Sequence, residues 1–422
     1  MVDKEQRLLE IENKNFFSTL DHLSFQWEVI EDGKPFAKGA FSAPTLVAQE
    51  RKTIALDLGA SKFQKDKEYF LQVTAVTQKA LPLLPIGHEV AWEQFDISPT
   101  EKAYKKELAP SKGMLEVEPL TNNLFHIKGE NFEAKVNQTT HELVYYAYQN
   151  KPLLTQAPKL NFWRPPNDND LGNGMHKWAA IWQILSKQEI KKSASSTSTQ
   201  QQKNKLQFQT NYTFPDSLGI RVQLLLTIHA DGTLAYDYQY QSTDEQLPNI
   251  PRLGIQFQLP ADLQHIEWYG KGPHETYWDR QTSGKMGIWK GKVWDQLHLY
   301  SRPQESGNKM DVRWMSLTND TDFGWKATTT AQPLSMSAWQ LATEDLDFVA
   351  GAKGAASASG LVPITSKHGA FLTTRNFITW NIDLHQMGVG GDTSWGRMVH
   401  EEYTIPANQK YTYGFRLVPM GL

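Results

Sequence analysis

Residues 220 to 242 impose the strongest constraint on what this chain can fold into. Val222, Leu224, Leu226 and Ile228 alternate along the chain, Asp231-Gly232 follows, and Leu234, Tyr236, Tyr238 and Tyr240 then alternate in turn. Two runs with a side-chain period of two, joined by Asp-Gly, are the pattern of a β-hairpin, because that dipeptide accepts the positive φ angles of a tight turn. Similar alternation recurs at Leu253-Ile255-Phe257-Leu259 and at Tyr411-Tyr413-Phe415-Leu417. Neither strand-helix alternation nor a regular repeat of about 20 to 50 residues accompanies it, so an all-β chain is expected and a TIM barrel or doubly wound sheet is not.

The same reasoning divides the chain. Leu23, Phe25, Trp27 and Val29 fall on one face of a strand, Ser24, Gln26 and Glu28 on the other, and Glu31-Asp-Gly-Lys34 supplies a turn. Further alternation at Tyr69, Leu71, Val73 and Ala75, then at Val90, Trp92 and Phe95, predicts an immunoglobulin-like β-sandwich over residues 1–98. Residues 99–113 are charged, carry proline and read as a linker; the β pattern resumes at 114 and runs to 422. The apolar spacing of Met175, Trp178, Ala179, Trp182 and Leu185 predicts a helix over 175–190. A second short helix is expected at 343, with the Thr343 hydroxyl capping Glu344-Asp345-Leu346. Lys191 to Lys205 is polar and low in complexity, and reads as a mobile hairpin loop.

At 422 residues the chain is too long for one ordinary core. Its 43 basic and 46 acidic residues give a net charge of −3, which supplies no electrostatic pull toward nucleic acid or an anionic membrane. No apolar run approaches the roughly 20 residues that span a bilayer, and residues 1–20 lack the basic and apolar regions of a signal peptide, so a cytoplasmic location is expected. Without cysteine there is no disulfide framework and no thiolate ligand or nucleophile. The 14 tryptophans suit a protein that handles carbohydrate, and equally the filling of large sandwiches.

Four polar clusters carry the candidate chemistry. In Asn161-Phe-Trp-Arg-Pro-Pro-Asn-Asp-Asn-Asp-Leu-Gly172, the oxygens of Asp168, Asn169 and Asp170 could ligate a hard cation, or cap a helix and fix turns. In Trp268 to Arg280, two glycines and a proline make a loop that Arg280, beside Asp279, can lock. In Arg302-Pro-Gln-Glu-Ser-Gly-Asn308, which precedes a strand expected over Met310 to Leu317, Glu305 could act as a general base with His274 or His298 as its acid, the pairing a self-contained aldose epimerase needs; alternatively it satisfies backbone N–H groups. No pair of carboxylates stands out as the two that a glycosidase needs across a scissile bond. Finally, Met387-Gly-Val-Gly-Gly-Asp-Thr-Ser-Trp395 follows a strand-like run with three glycines in four residues. Such a loop either displays the Trp395 indole as a platform for a sugar ring, with Asp392 beside it, or plugs the end of a sandwich.

Taken together, FWRPPNDNDLG (162–172), YGKGPHETYWDR (269–280), RPQESGNKMDVRW (302–314) and MGVGGDTSW (387–395) resemble the C-terminal region of the large bacterial β-galactosidases of glycoside hydrolase family 2. The N-terminal unit, with Asp32-Gly33-Lys34-Pro35 and Gly87-His88-Glu89-Val90-Ala91-Trp92, is similar to the second immunoglobulin-like domain of those enzymes. The resemblance implies that 114–422 is a large antiparallel β-supersandwich of galactose mutarotase-like topology. It also implies that the catalytic glutamates, with the magnesium and sodium ions, belong to a TIM barrel absent from this chain. The chain would then be a small subunit or C-terminal part whose partner is the barrel-bearing large subunit or domain, with a galactoside at the shared pocket and an oligomer as the full enzyme. Trp395 matches the tryptophan that reaches into that pocket, and Gly172, Asn173, Gly174 and Met175 match the start of a mobile loop at its mouth, although the loop here is shorter. A carbohydrate-binding module without an enzyme partner is a further alternative.

Overall fold

The Asp231-Gly232 hairpin forms as its alternation demands. In the computed structural model, which describes residues 1–59, 62–99, 113–188, 190–194, 200–202, 204–347, 368–393 and 396–421, strands Ile220–His229 and Leu234–Ser242 pair antiparallel, with Val222 opposite Tyr240 and Leu226 opposite Tyr236. The chain divides into two compact units, Met1–Ala103 with Lys285–Ile288 and Tyr104–Gly284 with Trp289–Leu422. The expected linker, 99–113, lies almost wholly outside the described residues.

The first unit sets a four-stranded sheet, ordered Lys34–Ser42, Leu23–Glu31, Tyr69–Thr77 and Glu89–Asp96, with a two-stranded pair, Leu8–Glu12 and Arg51–Ala55. Leu23, Phe25 and Val29 point into its core while Gln26 is exposed, which is the alternation read from the sequence.

In the second unit the hairpin sits in a ten-stranded antiparallel sheet that continues from Leu234–Ser242 to Lys410–Met420, Gly324–Thr329, Trp314–Thr318 and His265–Gly272. Cross-strand partners on its inner face are aromatic: Tyr236 stacks on Phe415 at 5.3 Å between ring centroids, Tyr238 meets Tyr413 at 5.0 Å and Tyr240 meets Tyr411 at 6.0 Å. Each such side chain withdrawn from water contributes roughly 1.5 to 3 kcal/mol. Opposite them lies a five-stranded sheet ordered Gln156–Asn161, Arg252–Pro260, Phe377–Gln386, Leu334–Trp339 and Lys309–Val312. Its apolar face carries Leu253, Ile255, Phe257, Ile378, Trp380 and Ile382 into the shared core.

The other face of this second sheet is polar, and Gln256, Thr379, Asn381, Asp383, Ser335 and Ser337 on it are buried as well. Gly254, Gln256 and Gln258 oppose Asp383, Asn381 and Thr379, which in turn oppose Ser335, Ser337 and Trp339. Asn381 closes the ladder by donating to Ser337 Oγ at 3.1 Å and accepting from Gln256 at 2.9 Å and Asn161 at 3.2 Å.

Four local expectations change. The helix expected over 175–190 is two helices, Met175–Trp178 and Ala180–Lys187, because Ala179 leaves helical geometry at ψ 9°. The short helix at Thr343–Leu346 is capped by Ala342 and Asp345 rather than by Thr343, whose hydroxyl accepts from Gln256 at 3.1 Å. Met310 to Leu317 is not one strand: Lys309–Val312 joins the five-stranded sheet and Trp314–Thr318 the ten-stranded one, with Asp311 at φ 54°. The loop expected at 191–205 has stranded ends, since Lys191 pairs with Thr213 and Gln200 with Gln207.

Candidate functional site

Three of the four motifs meet on the buried polar face, and the fourth is tied to them. The 302–308 loop lies directly on that face. Glu305 Oε1 accepts from Arg252 Nη2 at 3.0 Å and from Gln386 Nε2 at 3.2 Å, Asn308 Oδ1 accepts from Ser335 Oγ at 2.8 Å, and the Trp339 indole N–H donates to the Ser306 carbonyl at 2.7 Å. Burial pushes the Glu305 carboxyl upward and the guanidinium groups of Arg252 and Arg164 oppose the shift. Its side chain is 0% exposed and its donors are side chains rather than backbone N–H groups, so both the general-base reading and its alternative give way: Glu305 holds the loop to the sheet.

In the first motif, Asn167 and Asp170 cap the helix Asp168–Gly172 reciprocally. The Asn167 side chain accepts from the Asp170 N–H at 2.8 Å and Asp170 Oδ2 accepts from the Asn167 N–H at 3.0 Å. One further oxygen of each carboxylate meets an arginine, and Asp168 Oδ2 accepts from Gln304 at 3.4 Å. Arg164 Nη2 donates to Asp170 Oδ1 at 2.9 Å, and Arg302 Nε donates to Asp168 Oδ1 at 3.0 Å. The hard-cation reading of Asp168, Asn169 and Asp170 is thereby replaced by the capping one. Among the described residues no group of three His, Asp or Glu side chains is arranged to hold a metal.

The glycine-rich motif is fastened at its root. Asp279 accepts from the N–H groups of Val389 and Gly390 at 2.9 and 2.8 Å, the side-chain amides of Asn167 and Asn169 donate to the Val389 carbonyl at 2.9 and 3.2 Å, and Arg164 donates to the Gly388 carbonyl at 2.9 Å. The glycines have separate reasons. A Cβ on Gly388 would stand 2.6 Å from Asp279 Oδ2, whereas Gly390 and Gly391 adopt φ of 70° and 124°. Asp392 is partly exposed and paired with His400 at 2.5 Å. The expected platform, Trp395, lies outside the described residues, as does Ser394. At Gly396 the chain packs on the first motif so closely that a Cβ would meet the Gly172 carbonyl carbon at 2.2 Å.

One further expectation is corrected here. Arg280 pairs with Glu275 at 2.5 Å, not with Asp279, which is committed to the glycine-rich loop. In the segment expected to move, Met175 is 0% exposed inside the core, Asn173 accepts from the Trp178 indole at 3.1 Å, Gly172 closes a helix and Gly174 adopts φ 79°. A cleft of about 210 Å³ lies among the loops, lined by Asn167, Asp168, Tyr277, Tyr300, Gln304 and Gly390. His274 and His298 border a second, neighbouring cavity with Glu275. Sequence reasoning missed Glu275, Asp279 and Asn167 as organisers; the signal available was their place inside motifs already singled out.

Comparison with known families then matches residues 128–417 to the family described as Beta galactosidase small chain. The chain belongs to that family. Residues 9–98 match Beta-galactosidase, domain 4. A β-galactosidase of Priestia megaterium is 31% identical over 99% of this chain and 38% of its own length, and one of Halalkalibacterium halodurans is 27% identical over 96% of this chain and 38% of its own. The chain thus spans well under half the length of these curated relatives. Among solved structures, a galactose 1-epimerase of Lactobacillus acidophilus is 10% identical, with a TM-score of 0.38 over 74% of this chain and 99% of the epimerase.

Proposed function

We propose that this chain is the non-catalytic small-chain portion of a β-galactosidase, which completes a galactoside pocket built mainly by a barrel-bearing partner polypeptide or domain. The observation that carries the reading is the fastening of the 387–393 segment by Asn167, Asn169, Arg164 and Asp279, side chains drawn from two other motifs. A loop with a fixed root can present Trp395 and Asp392 to a substrate held elsewhere without a large ordering cost. Trp395 in this reading stacks on the sugar, and Gly172 to Gly174, of which Gly172 and Asn173 pack against Gly396, border the pocket mouth. The catalytic glutamates, magnesium and sodium belong to the partner.

The test is reconstitution. The chain alone should leave a chromogenic β-galactoside unhydrolysed, and mixing it with the barrel-bearing polypeptide should produce activity. Hydrolysis by the isolated chain overturns the proposal. In the reconstituted enzyme Trp395→Ala should weaken substrate binding by about 1 to 3 kcal/mol, read as a rise in KM with the assembly intact.

A further inference from the structure

The cavity beside the motif face holds a buried cation with little to satisfy it. Its volume is about 440 Å³, within the range of small-molecule sites, and its walls include His274, Glu275, Arg280, His298, Tyr300 and Lys309. Glu275 is spoken for: it accepts from Tyr300, from Arg280, from Ser306 Oγ at 3.2 Å and from the Gly307 N–H at 2.7 Å. Arg280 is balanced by that same carboxylate. Lys309 is different. It is 1% exposed, its ammonium lies 4.6 Å from the centre of the Trp268 ring, and it donates one long hydrogen bond, 3.3 Å, to the Pro273 carbonyl.

An ammonium has three donors, so two remain, and no carboxylate of the described residues forms an ion pair with it. Burial pulls its pKa down to about 8 against the attraction of the Glu275 charge, which still leaves it mostly charged at neutral pH. A desolvated charge in that position calls for an anion. The rest of the rim suits hydroxyl groups: His274 is hydrogen-bonded to Ser283 Oγ at 2.8 Å and the His298 ring is exposed.

We propose that this cavity is a ligand site that takes a monosaccharide-sized hydroxylated acid with its oxyanion on Lys309 and its hydroxyls toward His274 and His298. The oxyanion is a carboxylate or a phosphate monoester. This assignment stands whether or not the chain completes a β-galactosidase.

Isothermal titration of the full chain with galacturonate, glucose 6-phosphate and uncharged galactose tests it. At least one acid should bind saturably, at least about tenfold more tightly than galactose, the worth of one charge-assisted hydrogen bond. Which acid does so separates carboxylate from phosphate. Lys309→Met should weaken that acid by about tenfold or more on the same grounds, and His298→Ala, at an exposed position where folding is not at stake, by about threefold. Equal affinity for galactose, no saturation by either acid up to about 10 mM, or unchanged acid affinity in either folded variant overturns the proposal.

Discussion

On one face of strand Phe377–Gln386, Ile378, Trp380, Ile382 and Leu384 enter an apolar core; on the other, Thr379, Asn381 and Asp383 are buried just as deeply among polar partners. The apolar face needs only shape, and its neighbours satisfy it without direction. The polar face needs a specific partner for each group, because an unpaired buried charge or amide is costly. Part of that partnering comes from the motif loop at 302–308: Arg252, on the neighbouring strand, stands 3.3 Å from Asp383 and donates to Glu305 at 3.0 Å, and Gln386 joins Glu305 to Asn308, while the two Asp383 oxygens accept no hydrogen bond among the described residues. The apolar face therefore makes the fold, and the polar face fixes where the motif loops stand.

The largest effect should come from cutting the polar face at its centre. Arg252→Ala leaves Asp383 buried without its cation and removes from Glu305 the guanidinium bonded to it, and should cost about 3 to 5 kcal/mol in urea unfolding. Trp380→Ala on the opposite face should cost a similar amount through its cavity. The two should part in reconstitution: at a temperature where both remain folded, Arg252→Ala loses activity with the barrel-bearing polypeptide and Trp380→Ala keeps it. Equal activity in both would break the comparison.

A pH series sharpens it. Burial first, and the Glu305 charge, push the Asp383 carboxyl up to about 7 despite Arg252. The folded state thus keeps a proton that the unfolded chain releases near pH 4, so this group's contribution to stability falls as pH rises from about 4 to 7 and is constant above, with a slope of at most about 1.4 kcal/mol per pH unit. Asp383→Asn should flatten that part of the profile relative to the parent. An unchanged difference between the two proteins across the window would remove Asp383 as the titrating group.

Smaller effects are expected at the fastening points. Gly388→Ala should drive Asp279 away from the Val389 and Gly390 amides, costing about 1 to 3 kcal/mol by overpacking and reducing reconstituted activity more than stability. Smallest of all, Ser337→Ala removes one acceptor from the Asn381 amide and should cost about 1 kcal/mol in unfolding with activity retained.

Several elements needed no tertiary information. The hairpin around Asp231-Gly232 and the strand faces at 23–29 were legible because alternation and turn chemistry are local, and the four motifs identified the family because their residues stand together in sequence. Other features were decided only by packing. Nothing local says that Thr343 gives its hydroxyl to Gln256, that the 310–317 run breaks at Arg313 to serve two sheets, or that Arg280 chooses Glu275 while Asp279 reaches a loop 110 residues away. The alternation at 377–386 was visible as a strand, but its polar positions could equally have faced solvent. Burying them was the work of loops at 161–170 and 302–308, which arrive from elsewhere in the chain. Hydrophobic period and turn type are properties of neighbouring residues, whereas the partner of a buried polar group is set by whichever distant segment excludes water from it.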